Sequence, residues 1–122
     1  MSTLGPAAAP QAAVIGIVVT EALDIIFDTF TTSRKYANLR ADARVALVIG
    51  WDLGQTVQLE GTAEVLAGPE LDACKPDYFA MWPDGRDREH RPDIAYVRVR
   101  PKWLRYSDYS QTPPRVEELR LG

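Results

Sequence analysis

Hydroxyl and basic side chains cluster where an apolar run gives way to a predicted helix. Thr29 ends the run, residues 31–33 are all hydroxyl residues, and Arg34 and Lys35 follow. Free N–H groups and the positive end of the dipole make a helix N-terminus an anion site. Thr29 and Ser33 would donate hydrogen bonds through their hydroxyl groups. Arg34 would make a bidentate contact, and Lys35 would contribute a point charge. This residue pattern is typical of a phosphate site.

A second interpretation of the cluster is a solvated basic turn. Cations in a first helical turn oppose the dipole by roughly 0.3–1 kcal/mol each at exposed positions. Either a bound anion or neighbouring carboxylates would offset that cost, and Asp24 and Asp28 are close in sequence. Short clusters of hydroxyl and basic residues are common, so the residues alone favour neither interpretation.

Few other side chains could do chemistry. The 122 residues include one cysteine, Cys74, and one histidine, His90. A structural zinc site usually takes four such ligands, and a catalytic triad would have to use His90. His90 lies in a charged stretch, and Cys74 is typical of a helix cysteine. We therefore predict no catalytic or metal-binding side chain, so that any chemistry comes from a bound group.

Composition narrows the class of protein. The net charge is −3 and the pI is about 5.1, which argues against a nucleic-acid binder. The longest apolar run, Ala12–Val19, is far shorter than the roughly 20 residues of a membrane span. No Lys or Arg precedes Arg34, so a signal peptide's basic region is missing. We expect one soluble, cytoplasmic domain over residues 1–122.

Six short runs are predicted to be strands that position the cluster. Glu21-Ala22 and Asp52-Leu53-Gly54 are tight turns, which favour antiparallel hairpins because a parallel crossover needs a dozen or more residues. The run at 45–50 is apolar on both faces, as in a buried central strand. The predicted strands are Ala12–Thr20, Leu23–Thr29, Val45–Gly50, Thr56–Leu66, Ile94–Arg100 and Trp103–Tyr106.

Two of these strands alternate between apolar and polar residues, which predicts the face that each side chain occupies. Val57, Leu59, Gly61, Ala63 and Val65 should share one face of their strand. Ala95, Val97 and Val99 should point inward, whereas Tyr96, Arg98 and Arg100 should point outward.

Two helices are predicted between the strands. Thr32 or Ser33 can N-cap the first, which runs to about Arg40. The second, near Glu70–Trp82, should break or restart at Pro76. Residues 1–11 are predicted to be a loop or ragged strand, 83–93 a charged loop, and 111–122 an extended C-terminal tail.

These elements predict a mainly β (α+β) fold, a six-stranded antiparallel barrel with small flanking helices. Several strands are apolar on both faces, so a helix or another subunit must cover the second face. With so little helix available, we expect a homodimer.

The run IIFDTFTTSRKYANLRADARVALVIGW resembles the pyridoxamine 5′-phosphate oxidase-like superfamily, the FMN-binding split β-barrels, and in particular its general stress protein-like members. In that family a strand ends in Phe/Tyr-x-Thr, and Ser-Arg-Lys then opens a helix that leads through Asn-Leu and Arg-Val into a buried strand. The matching elements are Phe27-Asp28-Thr29, Ser33-Arg34-Lys35, Asn38-Leu39, Arg44-Val45, Glu60-Gly61-Thr62-Ala63 and the closing strand Pro101–Tyr106.

The resemblance implies an FMN site at the interface of a homodimer. Thr29, Ser33, Arg34 and Lys35 would hold the phosphate and ribityl chain. The strand around Val14 and Ile15, up to residue 17, would run along the isoalloxazine through backbone groups. Gln55 or Thr56 would add a polar contact. Tyr106, or less readily Trp103, would reach the flavin from the other subunit, although core packing explains either aromatic equally well.

The sequence departs from true pyridoxamine phosphate oxidases. Those enzymes carry an Arg and a Lys on the strand that matches Ala12–Val19, and an Arg-x-His near the C-terminus. Neither feature is present, so vitamin B6 is not the expected substrate. The family's N-terminal helix has no counterpart before Met1, and we expect a domain that lacks it and binds FMN less firmly.

The resemblance therefore implies an FMN-dependent oxidoreductase that acts on an unidentified small molecule. Two alternatives remain open. One is a non-catalytic flavin-binding or stress-response protein, and the other is a deazaflavin-dependent reductase on the same fold. The phosphate of either cofactor would lie on Ser33-Arg34-Lys35, so the motif does not separate them.

Overall fold

The computed structural model describes residues 1–121, which form one antiparallel sheet flanked by two helices. The sheet has the strand order β2-β1-β5-β6-β7-β4-β3, with β8 paired to β7 outside this path. The strands are β1 (Ser2–Leu4), β2 (Pro10–Ala12), β3 (Val18–Val19), β4 (Ile25–Phe30), β5 (Arg44–Ile49), β6 (Gln55–Val65), β7 (Ile94–Asp108) and β8 (Arg115–Arg120). The helices are α1 (Arg34–Ala41) and α2 (Gly68–Met81), and short 3-10 turns lie at Pro6–Ala8, Asp52–Gly54 and Pro83–Arg88. The predicted mainly β split barrel is confirmed.

The long strand β7 is where the barrel splits. Its first half pairs with β4, its second half pairs with β8, and β6 runs along its other edge. The register shifts between Glu60 and Gly61, which face Trp103 and Pro101 respectively. A Cβ on Gly61 would collide with the Arg100 carbonyl, so this close approach of two backbones requires glycine. The two strands predicted at 94–100 and 103–106 are thus one strand.

Two apolar layers hold the fold together. The barrel interior contains residues from β4, β5, β6 and β7, closed at one end by Leu39 of α1. The second layer lies between the sheet and α2. The interior residues are Ile25, Phe27, Leu39, Val45, Leu47, Leu59, Ala63, Val97 and Val99, and the second layer is Val18, Ile26, Leu66, Tyr78, Phe79 and Tyr96.

The second layer makes Tyr96 buried, although its predicted orientation is correct. Tyr96 does alternate away from the barrel interior, but it is only 3% exposed because α2 covers it. Its ring makes edge-on contacts with Tyr78 and Phe79, at centroid distances of 6.1 and 6.3 Å. Pro76 lies inside α2 without breaking it. Packing by these aromatic side chains offsets the hydrogen bond that proline removes.

The predicted strand Ala12–Thr20 is wrong as a continuous element. Only Ala12 and 18–19 are in strands, and residues 13–17 have no regular structure. Backbone groups of this segment find partners outside a ladder: the Ala13 N–H donates to the Met1 carbonyl at 2.9 Å, and the Ile17 carbonyl accepts from the Trp82 indole.

Three further predictions need correction. The strand at 45–50 is not buried on both faces, since Val48 is exposed while Val45 and Leu47 are buried. The C-terminal tail is extended as predicted, but residues 115–120 form β8 by pairing with β7. The charged loop after α2 includes the 3-10 turn Pro83–Arg88. No helix among residues 1–121 combines the length and the hydropathy that a membrane crossing demands.

Candidate functional site

A pair of hydroxyl groups joins the end of β4 to the start of α1. Thr29 Oγ1 and Ser33 Oγ are 2.9 Å apart, and Ser33 Oγ also accepts from the Tyr36 N–H at 3.2 Å. Ser33 is therefore the N-cap, and Thr32 is left exposed beside it. Ser33 has an extended backbone and an oxygen aimed back at the first turn, which is the usual capping geometry. The cap fixes where Arg34 and Lys35 begin the helix.

The two cations after the cap have no carboxylate partner in the described chain. Neither Arg34 nor Lys35 takes part in any of the ion pairs among residues 1–121. Asp28 is occupied on the opposite face of β4, where it pairs with Arg88 at 3.1 Å. The interpretation of the cluster as a basic turn paired with Asp24 or Asp28 is therefore wrong.

Three cavities lie around Met1 and Ala13, which line all of them, and the first of these cavities adjoins the two cations. Their volumes are about 210, 430 and 190 Å³. We call them together the groove. Arg34 and Lys35 line its first end, Val14 lines its middle, and Val14 and Ile15 line its far end.

The groove is strongly polarised. Arg34 and Lys35 are the only acidic or basic side chains among its lining residues in the described chain. The far end is walled by aliphatic residues and one tryptophan: Ala13, Val14, Ile15, Ile17, Leu47, Val48, Ile49 and Trp51. An arrangement of this kind suits a ligand with an anionic group at one end and an apolar, flat body at the other.

Three residues that sequence reasoning did not assign to the site hold α1 against the groove. The buried Asn38 donates through Nδ2 to Thr3 Oγ1 at 3.0 Å and to Gln11 Oε1 at 2.8 Å. Thr3 and Gln11 also line the cationic end of the groove. Asn38 follows Arg34 by four residues, so helical spacing could have placed both on one face. Nothing in the sequence marks Thr3 or Gln11.

The other four predicted site residues lie on the β6–β7 ribbon and, like Thr29 and Ser33, line none of the groove's three cavities. Gln55 faces Asp108 across the sheet, Thr56 faces Ser107, and Tyr106 lies on β7 nearby. The Trp103 indole N–H donates to Glu118 Oε2 at 3.4 Å. The structure thus joins Thr29 to Ser33 and places Arg34, Lys35, Val14 and Ile15 along the groove, while contact of any of the ten predicted residues with a flavin stays a prediction.

A second polar cluster lies on the opposite face of β4. Tyr78 Oη donates to Asp28 Oδ1 at 2.9 Å, and Arg88 donates to Asp28 Oδ2 and to Asp84 Oδ2, each at 3.1 Å. We call Asp28, Tyr78, Asp84 and Arg88 the Asp28 cluster. Burial, together with the hydrogen bond to Asp28, raises the pKa of Tyr78 to about 12. Hydrogen bonds to Asp84, with smaller contributions from Asp28, raise the pKa of the Arg88 guanidinium. Each member has a partner within the cluster, so it offers no free group to a ligand.

Residues 1–108 match the family model described as pyridoxamine 5′-phosphate oxidase. The protein belongs to this family. Its members share the split-barrel fold, and the resemblance inferred from Phe27-Asp28-Thr29 and Ser33-Arg34-Lys35 is confirmed.

One curated member of the family is a pyridoxine/pyridoxamine 5′-phosphate oxidase from Bordetella avium. It is 29% identical over 127 aligned positions, which take in 99% of this chain and 60% of that protein. This chain thus spans about three fifths of the length of that relative.

Solved structures agree on the fold. A heme binding protein from Mycobacterium smegmatis superposes with a TM-score of 0.81 at 20% identity, covering 98% of this chain and 50% of that one. A pyridoxamine 5′-phosphate oxidase-related, FMN binding protein from Nostoc punctiforme superposes with a TM-score of 0.69 at 10% identity, covering 99% and 85%. At these identities the likeness concerns the fold, which hosts more than one kind of cofactor.

Proposed function

We propose that the protein binds FMN in the groove and acts as a flavin-dependent oxidoreductase on a small molecule other than vitamin B6. The observation that carries the proposal is the pair of cations, Arg34 and Lys35, which have no carboxylate partner in the described chain and lie at one end of a groove whose other lining side chains are uncharged. FMN has the matching shape, with a phosphate dianion at one end and a planar ring system at the other.

The donors at the cationic end fit a phosphate. The N–H groups of Arg34 and Lys35 begin α1 and have no acceptor in the described chain. The Arg34 guanidinium and the Lys35 ammonium supply further donors, and the Thr29–Ser33 pair retains one hydroxyl proton because only one of the two hydroxyls donates within the pair. A phosphate there would offset the unfavourable effect of two cations on the helix dipole, so binding would also stabilise the start of α1.

The far end of the groove supplies the surroundings for a flavin ring. Residues 13–17 have no regular structure, so part of their backbone is available to polar atoms of the ring, while Val14 and Ile15 exclude water from one side. Bound FMN supplies hydride or electron transfer, and the protein supplies position and electrostatics. A vitamin B6 substrate would need basic side chains to bind its phosphate group. In the described chain, the lining residues at this end carry no acidic or basic side chain.

The proposed active form is a homodimer, located in the cytoplasm. Three large apolar side chains that line the groove face solvent in a single chain: Val14 is 95% exposed, Trp51 73% and Val48 62%. Exposed apolar side chains grouped around one cavity are typical of an interface. A second copy covering it would bring its own β6–β7 end to the groove, so that Gln55, Thr56 and Tyr106 or Trp103 reach the flavin. Thr56 Oγ1 is buried without a hydrogen-bond partner in the described chain, as expected of a group that awaits one.

The groove suits a flavin better than heme. Among its lining residues in the described chain there is no histidine, cysteine or tyrosine, and Met1 is the one side chain of a type that commonly ligates heme iron. A deazaflavin would place its phosphate on the same donors, so comparing the two cofactors belongs in the test.

Cofactor titration tests the proposal. Arg34→Ala and Lys35→Ala should each weaken FMN binding by about 1–3 kcal/mol, as expected for a hydrogen bond to a charged group. Arg40→Ala is the matched control, because Arg40 is an exposed, unpaired cation on the same helix but outside the groove. Equal losses in all three variants would mean that only net charge matters. A wild-type protein with no affinity for FMN would refute the proposal.

Turnover is tested separately on the FMN-loaded protein. Oxidation of NADH or NADPH with reduction of a quinone or another soluble acceptor would support the oxidoreductase. A loaded protein that turns over none of these would favour the non-catalytic flavin-binding alternative. Tighter binding of a deazaflavin than of FMN would favour the deazaflavin-dependent reductase.

A further inference from the structure

Trp82 lies behind the wall of the groove rather than in it. It follows the last residue of α2, where its backbone N–H donates to the Tyr78 carbonyl at 2.8 Å. Its indole N–H donates to the Ile17 carbonyl at 2.9 Å, across 65 residues of sequence. The indole thereby joins the end of α2 to the irregular segment 13–17.

The contact between Trp82 and this segment is also a close packing contact. A Cβ placed on Gly16 would lie 2.8 Å from both Cε2 and Cζ2 of the Trp82 ring, closer than real Cβ atoms come. The backbone of Gly16 does not lie in the left-handed region, so its conformation alone would allow other residues. Glycine is required here because the ring lies directly on the backbone.

The other side of the same segment is the groove. Ala13, Val14, Ile15 and Ile17 line the groove's far end, whereas Gly16 is directed to Trp82. Residues 13–17 have no strand pairing: Ala13 bonds through both backbone groups to Met1, Ile15 and Ile17 pack against the barrel interior, and the Ile17 carbonyl bonds to Trp82. Trp82 is thus the contact that fixes the C-terminal end of this wall from the α2 side.

We propose that Trp82 is a positioning residue for the groove. It holds residues 13–17 in place, and these residues form the wall against which the ring system of a flavin would lie. This inference rests on the proposed function. Trp82 does not line the groove in the described chain, so its effect on a bound flavin passes through Gly16 and Ile17. The residue links the α2 layer of the fold to the site.

Two substitutions separate the hydrogen bond of the Trp82 indole from the packing of its ring on Gly16. Trp82→Phe keeps a ring over Gly16 and removes the N–H donor, whereas Gly16→Ala keeps the donor and forces the ring or the segment to move. Each should weaken FMN binding roughly fivefold, the equivalent of one net hydrogen bond. Met81→Ala is the control, since Met81 is the exposed neighbour of Trp82 on the same helix and lies outside the groove.

Riboflavin, which has the ring but no phosphate, distinguishes positioning from general damage. Trp82→Phe should weaken riboflavin and FMN by the same factor, because the affected wall faces the ring. Arg34→Ala should weaken FMN alone. Hydrogen–deuterium exchange on the cofactor-free protein supplies an independent readout, in which Trp82→Phe should speed exchange over residues 13–17 without lowering the urea midpoint by more than the Met81→Ala control.

The outcomes decide between the two proposals. Unchanged exchange over 13–17 in both variants would overturn the role of Trp82, whatever the cofactor. Faster exchange with unchanged affinity for FMN and riboflavin would also overturn it, since the segment would then not position the ring. If the wild-type protein bound neither FMN nor riboflavin, the proposed function would be refuted, and Trp82 could then not position a flavin. Hydrogen–deuterium exchange would still show whether Trp82 holds residues 13–17 in place.

Discussion

The groove and the Asp28 cluster lie on opposite faces of one strand, and they differ in whether their charged groups have partners. Thr29 points from β4 toward the start of α1, whereas its neighbour Asp28 points toward α2. In the Asp28 cluster every charged or hydroxyl group has a partner. In the groove two cations have none among the described residues. Paired charges stabilise the fold, whereas unpaired cations beside a cavity are available to bind a ligand.

The comparison implies a division of roles that mutations can test. Changes in the Asp28 cluster should alter folding stability and leave cofactor affinity unchanged. Changes at Arg34 and Lys35 should do the reverse. The cap residue Ser33 lies between these extremes, because it belongs to the helix and to the cationic end at once.

The largest effect on stability is expected from Asp28→Ala. This change leaves the Tyr78 hydroxyl without its acceptor and removes one of two carboxylates from Arg88, in a site where the Asp28 side chain is only 11% exposed. Breaking such a partly buried pair should lower the free energy of unfolding by about 2–4 kcal/mol, measured by urea denaturation. Where the variant is folded, its FMN affinity should equal that of the wild type.

Asp42→Ala is the control for Asp28→Ala. Asp42 also pairs with an arginine, Arg44, but the Arg44 side chain is 70% exposed, so loss of this pair should lower the free energy of unfolding much less than loss of Asp28 does. A loss of FMN affinity in Asp28→Ala as large as that in Arg34→Ala would break the comparison, because the two faces of β4 would then not be independent.

A smaller effect is expected from Tyr78 in alkali. Folding raises the pKa of Tyr78 from about 10 to about 12, so the folded state favours the protonated phenol. Stability from this group is complete below pH 10 and is lost as the pH rises toward 12. Over this window the wild type should lose roughly 2 kcal/mol more than Tyr78→Phe, measured by urea denaturation at several pH values. Equal slopes for the two proteins would show that neither burial nor Asp28 raises the pKa of Tyr78 on folding.

The sequence predicted the region around α1 well because its signals are local. Ser33 caps the helix through atoms within three residues, and Thr29 meets Ser33 across four. The hydroxyl–basic pattern, together with the family resemblance, therefore placed the cap and both cations correctly. The side chains that hold α1 in place were missed because Asn38 binds Thr3 and Gln11, which are 35 and 27 residues away.

The elements that depend on α2 were predicted poorly for the same physical reason. Residues 13–17 are rich in β-branched side chains, yet they lie outside the sheet, with the Ile17 carbonyl and the Gly16 backbone in contact with Trp82 instead. Tyr96 alternates as predicted, but whether its face meets solvent depends on a helix that packs on it. Strand propensity describes a half-buried pleated surface, and it does not say which tertiary contact will compete for the backbone.

The smallest effect is expected from a change at Ser33, which belongs both to the start of α1 and to the cationic end of the groove. Ser33→Ala removes the acceptor of the Tyr36 N–H and the partner of the Thr29 hydroxyl. The loss of an N-cap should lower the free energy of unfolding by about 1 kcal/mol, and FMN affinity should fall by less than in Arg34→Ala because the cations remain. Thr32→Ala is the matched control, since Thr32 is exposed and makes no cap. If Ser33→Ala weakened FMN binding without any loss of stability, the hydroxyl would serve the ligand alone. If it lowered stability without changing FMN affinity, the phosphate would be held by Arg34 and Lys35 without the cap.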